Sequence, residues 1–417
     1  MKSLTAKIIS VGTELLLGDI VDTNSAYLSA GLAEIGINLF HRETVGDNHD
    51  RLVDVLREAL SDADIVITSG GLGATSDDIT KECVAEALGL ELVLDNHSLD
   101  LIRSYYQRAG RQMTDNNVKQ AYIPKGAIVF DNDYGTAPVL AVRTERGAVV
   151  MLPGPPRELC PMFDEKIKPW LRESFSECTI ISRTLRLFGI GEAAAEEKIR
   201  HLMDSYTNPT IAPYAKTGEC ILRLTARGNN EAECNTLISS LQREVEKEVG
   251  ECIYGVDISS LEEALLIKLR EKGLTVAFAE SCTGGLASKR LVDIPGASKA
   301  LGMSVVTYSN DAKEKLLGVK SETLEKFGAI SPECAREMAE GLFTLSNADI
   351  AVSVTGVAGP DTDEGKEVGT VFIGISSRLG TRVVSLNLAR GKKERAYIRD
   401  LSVNNMMFEA MLEIQKL

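Results

Sequence analysis

The chain has 417 residues, 44% of them hydrophobic, and a formal charge of -14 from 46 Lys and Arg against 60 Asp and Glu. A single hydrophobic core rarely grows past about 250 to 300 residues, so this length predicts two or three domains. The acidic balance argues against broad binding to nucleic acid, and no apolar run approaches the ~18 residues of a membrane span.

In chain order, the N-terminus enters Lys7-Ile8-Ile9-Ser10-Val11 without a signal-peptide pattern, which predicts a cytoplasmic protein. That apolar run ends at Gly12-Thr13-Glu14, and an amphipathic helix is expected from Asn24 to Ile35. The order repeats with a strand over 64–69, the loop Gly70-Gly71-Leu72-Gly73 and a helix from Asp77 to Leu88, then more helix over 96–109. Strands over 127–130, 139–143 and 148–152 lead to Pro153-Gly154-Pro155-Pro156 and a further helix. Strands alternating with helices predict an α/β domain whose mainly parallel sheet is covered on both faces.

From about 170 to 256 the pattern shifts to a small α+β module, with strands over 183–188 and 220–226 and helices over 191–203 and 231–249. A third segment opens with a helix over 261–272 and a strand over 274–279 that runs into Glu280-Ser281-Cys282-Thr283-Gly284-Gly285. Later strands are expected over 302–307, 349–354, 369–376 and 382–388, with a closing helix over 393–414.

Two constellations carry chemistry. In an open α/β sheet the ligand crevice lies at the carboxyl ends of the strands, where glycine lets backbone approach a phosphate and helix N-H groups face it. Ser69, Gly70, Gly71 and Gly73 have that position, with Glu14, Asp19, Asp22, Asp77 and Asp78 after the same two strands as possible oxygen ligands for a divalent cation. On spacing alone, a plain glycine turn with Asp77 and Asp78 opening a helix is an equal reading.

The second constellation lies in the last third. The eight cysteines form no Cys-x-x-Cys pair, and all four histidines (His41, His49, His97, His201) precede residue 202. Neither a zinc site nor a disulfide framework is suggested. A hydrolytic site built from the last 200 residues must therefore use lysine, tyrosine or a carboxylate as base. Ser281 sits where a strand turns toward a helix, with helix amides beside it as possible oxyanion donors, although the local sequence by itself favours a helix N-cap for a serine there. Cys282 is a rival nucleophile. Tyr308 and Lys313 follow another strand end, Thr355 and Gly356 a third, and Arg395 and Arg399 share one face of the closing helix.

These motifs resemble the CinA family. Gly12-Thr13-Glu14-Leu15-Leu16-Leu17-Gly18 with Asp22-Thr23-Asn24, Thr68-Ser69-Gly70-Gly71-Leu72-Gly73, Asp77-Asp78-Ile79-Thr80 and Leu152-Pro153-Gly154-Pro155-Pro156 look like its N-terminal domain, whose fold is similar to molybdopterin-binding proteins. Ala74 departs from a frequent proline, and Val139 from a common glycine. That resemblance implies metal-dependent hydrolysis of the ADP-ribose pyrophosphate. Nucleotide would lie on Gly12, Thr13, Asn24, Ser69, Gly70, Gly71, Gly73, Asp78, Pro153 and Gly154, and metal on Glu14, Asp22 and Asp77. The middle segment would be a KH-like module; it lacks a basic Gly-x-x-Gly loop, so RNA binding is not implied.

The final segment resembles the family's C-terminal domain, similar to stand-alone nicotinamide mononucleotide deamidases. The resemblance implies a cofactor-free Ser-Lys amidase: Ser281 as nucleophile, Lys313 as base, Tyr308 and Thr355 orienting substrate with Thr283, Gly284, Gly356 and Arg399 nearby. Arg395 is preferred to Lys393 as the phosphate contact. The implied domains are 1–168, 169–257 and 258–417, and the implied assembly is a homodimer. Two other functions are carried alongside: a nucleotide-binding interaction protein linked to competence, and a molybdopterin-handling protein.

Overall fold

A computed structural model describes residues 4–175, 179–389, 391 and 394–417. The chain divides into two compact units, Met1–Ile181 with Ala226–Asn235 and Ser182–Thr225 with Thr236–Leu417.

The first unit is built on a six-stranded sheet in the order Asn38–Val45, Thr5–Val11, Ile65–Ser69, Ala148–Leu152, Val139–Arg143, Ile128–Phe130. The first four strands pair in parallel, and Val139–Arg143 pairs antiparallel with the strand on either side of it. Strand alternation sorts its apolar residues onto two faces: Ile8, Ile65 and Ile67 join Leu28, Leu32 and Phe163, whereas Ile9, Val11 and Val66 join Leu52, Leu56 and Met151. The sheet is α/β and covered on both faces, as expected, but mixed at one edge. From Thr5–Val11 the chain adds one neighbour on one side and the next on the other, so the carboxyl ends of Thr5–Val11 and Ile65–Ser69 flank a topological switch point.

The expected helix from Asp77 begins at Thr80 instead, with Ile79 at its N-cap position. Asp77 and Asp78 therefore lie in the preceding loop, where Asp78 Oδ2 accepts from the Thr75 amide at 2.9 Å. The edge strand Asn38–Val45, exposed at four of its eight positions, lacks the apolar run that would have marked it in sequence.

In the second unit a five-stranded sheet runs Leu301–Val306, Val276–Glu280, Ile350–Gly356, Thr370–Ser377, Gly380–Asn387, the first three pairing in parallel and Thr370–Ser377 pairing antiparallel with the strand on either side of it. The helices Leu261–Lys272 and Arg395–Lys416 cover one face and Pro332–Ser346 the other. Here too the chain reverses direction across the sheet from its first strand, which leaves a crevice at the ends of Val276–Glu280, Leu301–Val306 and Ile350–Gly356.

The small module forms a four-stranded sheet, Thr210–Lys216, Glu219–Gly228, Thr179–Phe188 and Ile253–Val256. Its Phe188 and Tyr254 belong to the same core cluster as Leu261, Ile398 and Met407, and the Phe188 ring lies 4.5 Å from that of Phe408. Among the described residues no helix is long and apolar enough to cross a membrane.

Candidate active site

Ser281 continues its strand, donating its amide to Val354 O at 3.1 Å. The following helix does not start there. It runs Leu286–Val292 with Gly285 at its N-cap position, so Ser281 is not a helix cap and its hydroxyl is left for other work. The cause is Glu280, which is fully buried. Its carboxylate accepts from the Ala287 and Ser288 amides, each at 3.0 Å, and from Ser288 Oγ at 2.6 Å. This side chain closes residues 281–286 into a loop, with Gly284 and Gly285 at positive φ of 59° and 90°. It also takes the helix amides that sequence offered as oxyanion donors. Cys282 lines the cavity beside Ser281.

Glu280→Ala would strand buried helix amides without an acceptor, each costing about 1–3 kcal/mol. A clear fall in the urea unfolding midpoint is expected, and Glu280→Gln, which keeps one acceptor oxygen, should recover part of it. An unchanged midpoint in Glu280→Ala would contradict this anchoring.

Lys313 lies in the first turns of helix Asn310–Leu317, whose N-cap Ser309 accepts from the Ala312 amide. It is 1% exposed, and its Nζ donates to Ser281 Oγ at 3.3 Å, Thr307 O at 3.0 Å and Tyr308 O at 3.3 Å. All three partners are uncharged. Burial holds its ammonium below the ordinary lysine range. Burial pushes the Cys282 thiol up to about 11, so the rival nucleophile is a protonated thiol at neutral pH.

A cavity of about 330 Å³ opens over this pair and is lined by Ser281, Tyr308, Lys313, Thr355, Gly356 and Arg395, among others. Arg395 donates to Gly359 O at 2.7 Å and to the Tyr308 hydroxyl at 3.1 Å, and Thr355 Oγ1 donates to Ala329 O at 2.8 Å. Three of the expected substrate contacts do not line the cavity. Arg399 is held by Thr283 O at 2.6 Å, Thr283 is fully buried, and Gly284 lies on the turn beside the arginine. Their part is to brace the nucleophile turn. Lys393 lies outside the described residues.

Sequence reasoning passed over Glu280 and also Glu364. The Glu364 carboxylate accepts from the Ala329 and Ile330 amides at 2.8 and 2.9 Å and so ties the Val357–Gly369 loop to the cavity rim. Its positive φ of 48° is the one local mark it carries, and only the structure exposes it.

At the N-terminal switch point a cleft of about 520 Å³ brings together Gly12, Glu14, Asp22, Asn24, Ser69, Gly70, Gly71, Gly73, Asp77, Asp78, Pro153 and Gly154. Thr13, expected beside them, is not on its lining; its amide and hydroxyl both donate to Asp47, at 2.9 and 2.8 Å. Asn24 Nδ2 donates to Ser69 Oγ at 2.9 Å and Gly154 O at 2.7 Å, while its buried Oδ1 has no hydrogen-bond partner among the described residues. Such an acceptor calls for a donor from a ligand or a water.

The metal set fits less well. Among the described residues no three His, Cys, Asp or Glu side chains gather to hold an ion. Asp22 spends one oxygen on Ser10 Oγ at 2.7 Å and the other on the Ser25 amide at 2.9 Å, and Asp77 accepts from the Thr75 hydroxyl. Glu14, Asp22 and Asp77 share the cleft without forming a cage.

Residues 258–413 match the CinA C-terminal domain, 7–173 the probable molybdopterin binding domain, and 182–255 the damage-inducible protein CinA KH domain. The chain is 47% identical over 387 residues to a CinA-like protein of Kosmotoga olearia, covering 92% of this chain and 93% of that one. A putative competence-damage inducible protein of Bacillus subtilis is 48% identical over 373 residues, covering 89% and 90%. Among solved structures, the protein CinA with unknown function from Thermoplasma acidophilum matches at 33% identity and a TM-score of 0.38, over 40% of this chain and 98% of its own.

Proposed function

Since the chain belongs to the CinA family, with a molybdopterin-binding-like N-terminal domain, a KH-like middle domain and a C-terminal CinA domain, we propose that its C-terminal cavity hydrolyses the carboxamide of nicotinamide mononucleotide. One observation carries this reading above the others: Lys313 Nζ, buried among uncharged partners, stands 3.3 Å from Ser281 Oγ.

In this reading the neutral Lys313 amine takes the Ser281 proton as Oγ attacks the carboxamide carbon. Charge developing on the carbonyl oxygen is met by turn amides beginning at Cys282. The proton on Lys313 passes to the departing nitrogen, which leaves as ammonia. Lys313 then takes a proton from water, whose oxygen attacks the ester carbon, releasing nicotinic acid mononucleotide and restoring the Ser281 hydroxyl. Arg395 spends two N-H groups on Gly359 and Tyr308, and a guanidinium has five, so donors remain for the nucleotide phosphate.

Purified full-length protein incubated with nicotinamide mononucleotide, without added metal, should release ammonia and nicotinic acid mononucleotide in equal amounts. Folded protein that binds the nucleotide without turning it over would replace this reading with a nucleotide-binding role, for which the relatives' competence-damage names suggest a setting.

For the N-terminal cleft, the glycine-lined strand ends and the unpartnered Asn24 Oδ1 support binding of a nucleotide diphosphate, with ADP-ribose the expected substrate. A divalent ion assisting there would take much of its coordination from phosphate oxygens and water, as magnesium commonly does. Hydrolysis of ADP-ribose to AMP and ribose 5-phosphate should therefore be stimulated by added divalent ions. Asn24→Ala should weaken ADP-ribose binding by about fivefold, on a lost hydrogen bond of about 1 kcal/mol, as measured by calorimetry. Unchanged affinity would remove Asn24 from the site, and a pterin copurifying with the protein would favour molybdopterin handling.

A further inference from the structure

The N-terminal cleft holds a carboxylate that none of the readings above uses. Glu158 stands in the first turn of helix Pro156–Met162, directly after Leu152-Pro153-Gly154-Pro155. A glutamate there ordinarily reaches into solvent beside the helix N-terminus. This one is 8% exposed and lines the same cleft as Asn24, Ser69 and Gly70.

Its surroundings are built around it. Asn132 Nδ2 donates to Glu158 Oε2 at 3.1 Å and to Ala137 O at 2.9 Å, which fixes the amide between the carboxylate and the loop. Gly135 lies flat against the carboxylate, so close that a Cβ there would overlap Oε2. Among the described residues Oε1 has no protein donor, and Glu158 forms no salt bridge. Burial raises its pKa above the ordinary glutamate range. A buried carboxylate with one neutral donor is costly to the fold, and such groups concentrate where a proton must be moved.

We propose that Glu158 is the general base of the N-terminal cleft, acting on the water that attacks a nucleotide diphosphate; this rests on the phosphoanhydride reading of that cleft. Glu158 Oε1 takes a proton from the water as its oxygen bonds to one phosphorus. The bridging P-O bond breaks, its electron pair leaves with the second phosphate, and two phosphomonoesters result. Asn132 is the positioning residue that holds Oε2 and leaves Oε1 for the water.

The experiment compares wild type, Glu158→Gln and Glu158→Asp in full-length protein with ADP-ribose and magnesium, measuring kcat across pH, ADP-ribose affinity by calorimetry and thermal unfolding. Glu158→Gln should lower kcat by about 100- to 10,000-fold and abolish the acid limb of the pH profile, with affinity unchanged and the unfolding temperature held or raised. Glu158→Asp should retain the acid limb at a reduced rate. A Gln variant with wild-type kcat and an intact acid limb overturns the role of Glu158 while leaving the cleft's reading in place. A folded wild type that binds ADP-ribose without cleaving it overturns both.

Discussion

Ser281→Ala should lower ammonia release from nicotinamide mononucleotide on the order of 10⁴-fold or more, the scale seen when a covalent nucleophile is removed. On the proposed mechanism the loss should fall in kcat, because the serine would bond to substrate only along the reaction path, while Arg395 and the cavity walls would still bind the nucleotide. The neighbouring thiol offers no bypass: burial pushes Cys282 up to about 11, leaving almost no thiolate at neutral pH. The fold should tolerate the change. Ser281 holds its strand position through its backbone amide to Val354, and the turn is closed by Glu280, neither of which alanine disturbs. Steady-state kinetics with nicotinamide mononucleotide tests this, and a variant within tenfold of wild type would exclude Ser281 as nucleophile.

Lys313→Arg should be comparably inactive, since a guanidinium stays protonated and cannot accept the serine proton. In the proposed mechanism the working form of the wild type is the neutral amine, whose fraction grows with pH. Burial holds the folded-state pKa below the 10.5 of a free lysine, so kcat/KM should rise with pH and level off below the range of an exposed lysine. The same shift sets a sign for stability. Between the lowered folded pKa and 10.5 the unfolded chain binds the proton more readily, so this group's contribution to stability falls as pH drops through that window. Lys313→Met should flatten that slope in urea unfolding across alkaline pH. A rate profile without an alkaline rise, or a Lys313→Arg variant that turns over normally, would remove Lys313 as base.

The strand ends that carry both clefts were legible in sequence because each closes an apolar run, at glycine after Val11 and Ser69 and at polar residues after Glu280 and Val306, a pattern set by residues next to one another. Ser281, Lys313, Tyr308 and Thr355 were named from strand ends and Arg395 from the closing helix, together with the family resemblance, and they line one cavity. The errors lay where a distant partner overrides a local preference. Serine before a glycine turn reads as a helix cap until Glu280 claims the amides of Ala287 and Ser288. Arg395 and Arg399 read as a matched pair four residues apart until Thr283 O takes the second. Asp22, Asp77 and Glu14 read as one metal set until Ser10, Ser25 and Thr75 take up the aspartates.

By itself the sequence determined the α/β alternation, the glycine turns at strand ends, and the lack of any histidine in the last 200 residues. These follow from backbone periodicity and side-chain inventory, which are local. Only the tertiary structure decided that Lys313 is buried beside a serine 32 residues away, that Glu158 turns into a cleft, and that Phe188 and Tyr254 of the small module share a core with the last domain. Those outcomes depend on desolvation and on which hydrogen-bond partner arrives from across the fold, and neither is written in the spacing of neighbouring residues.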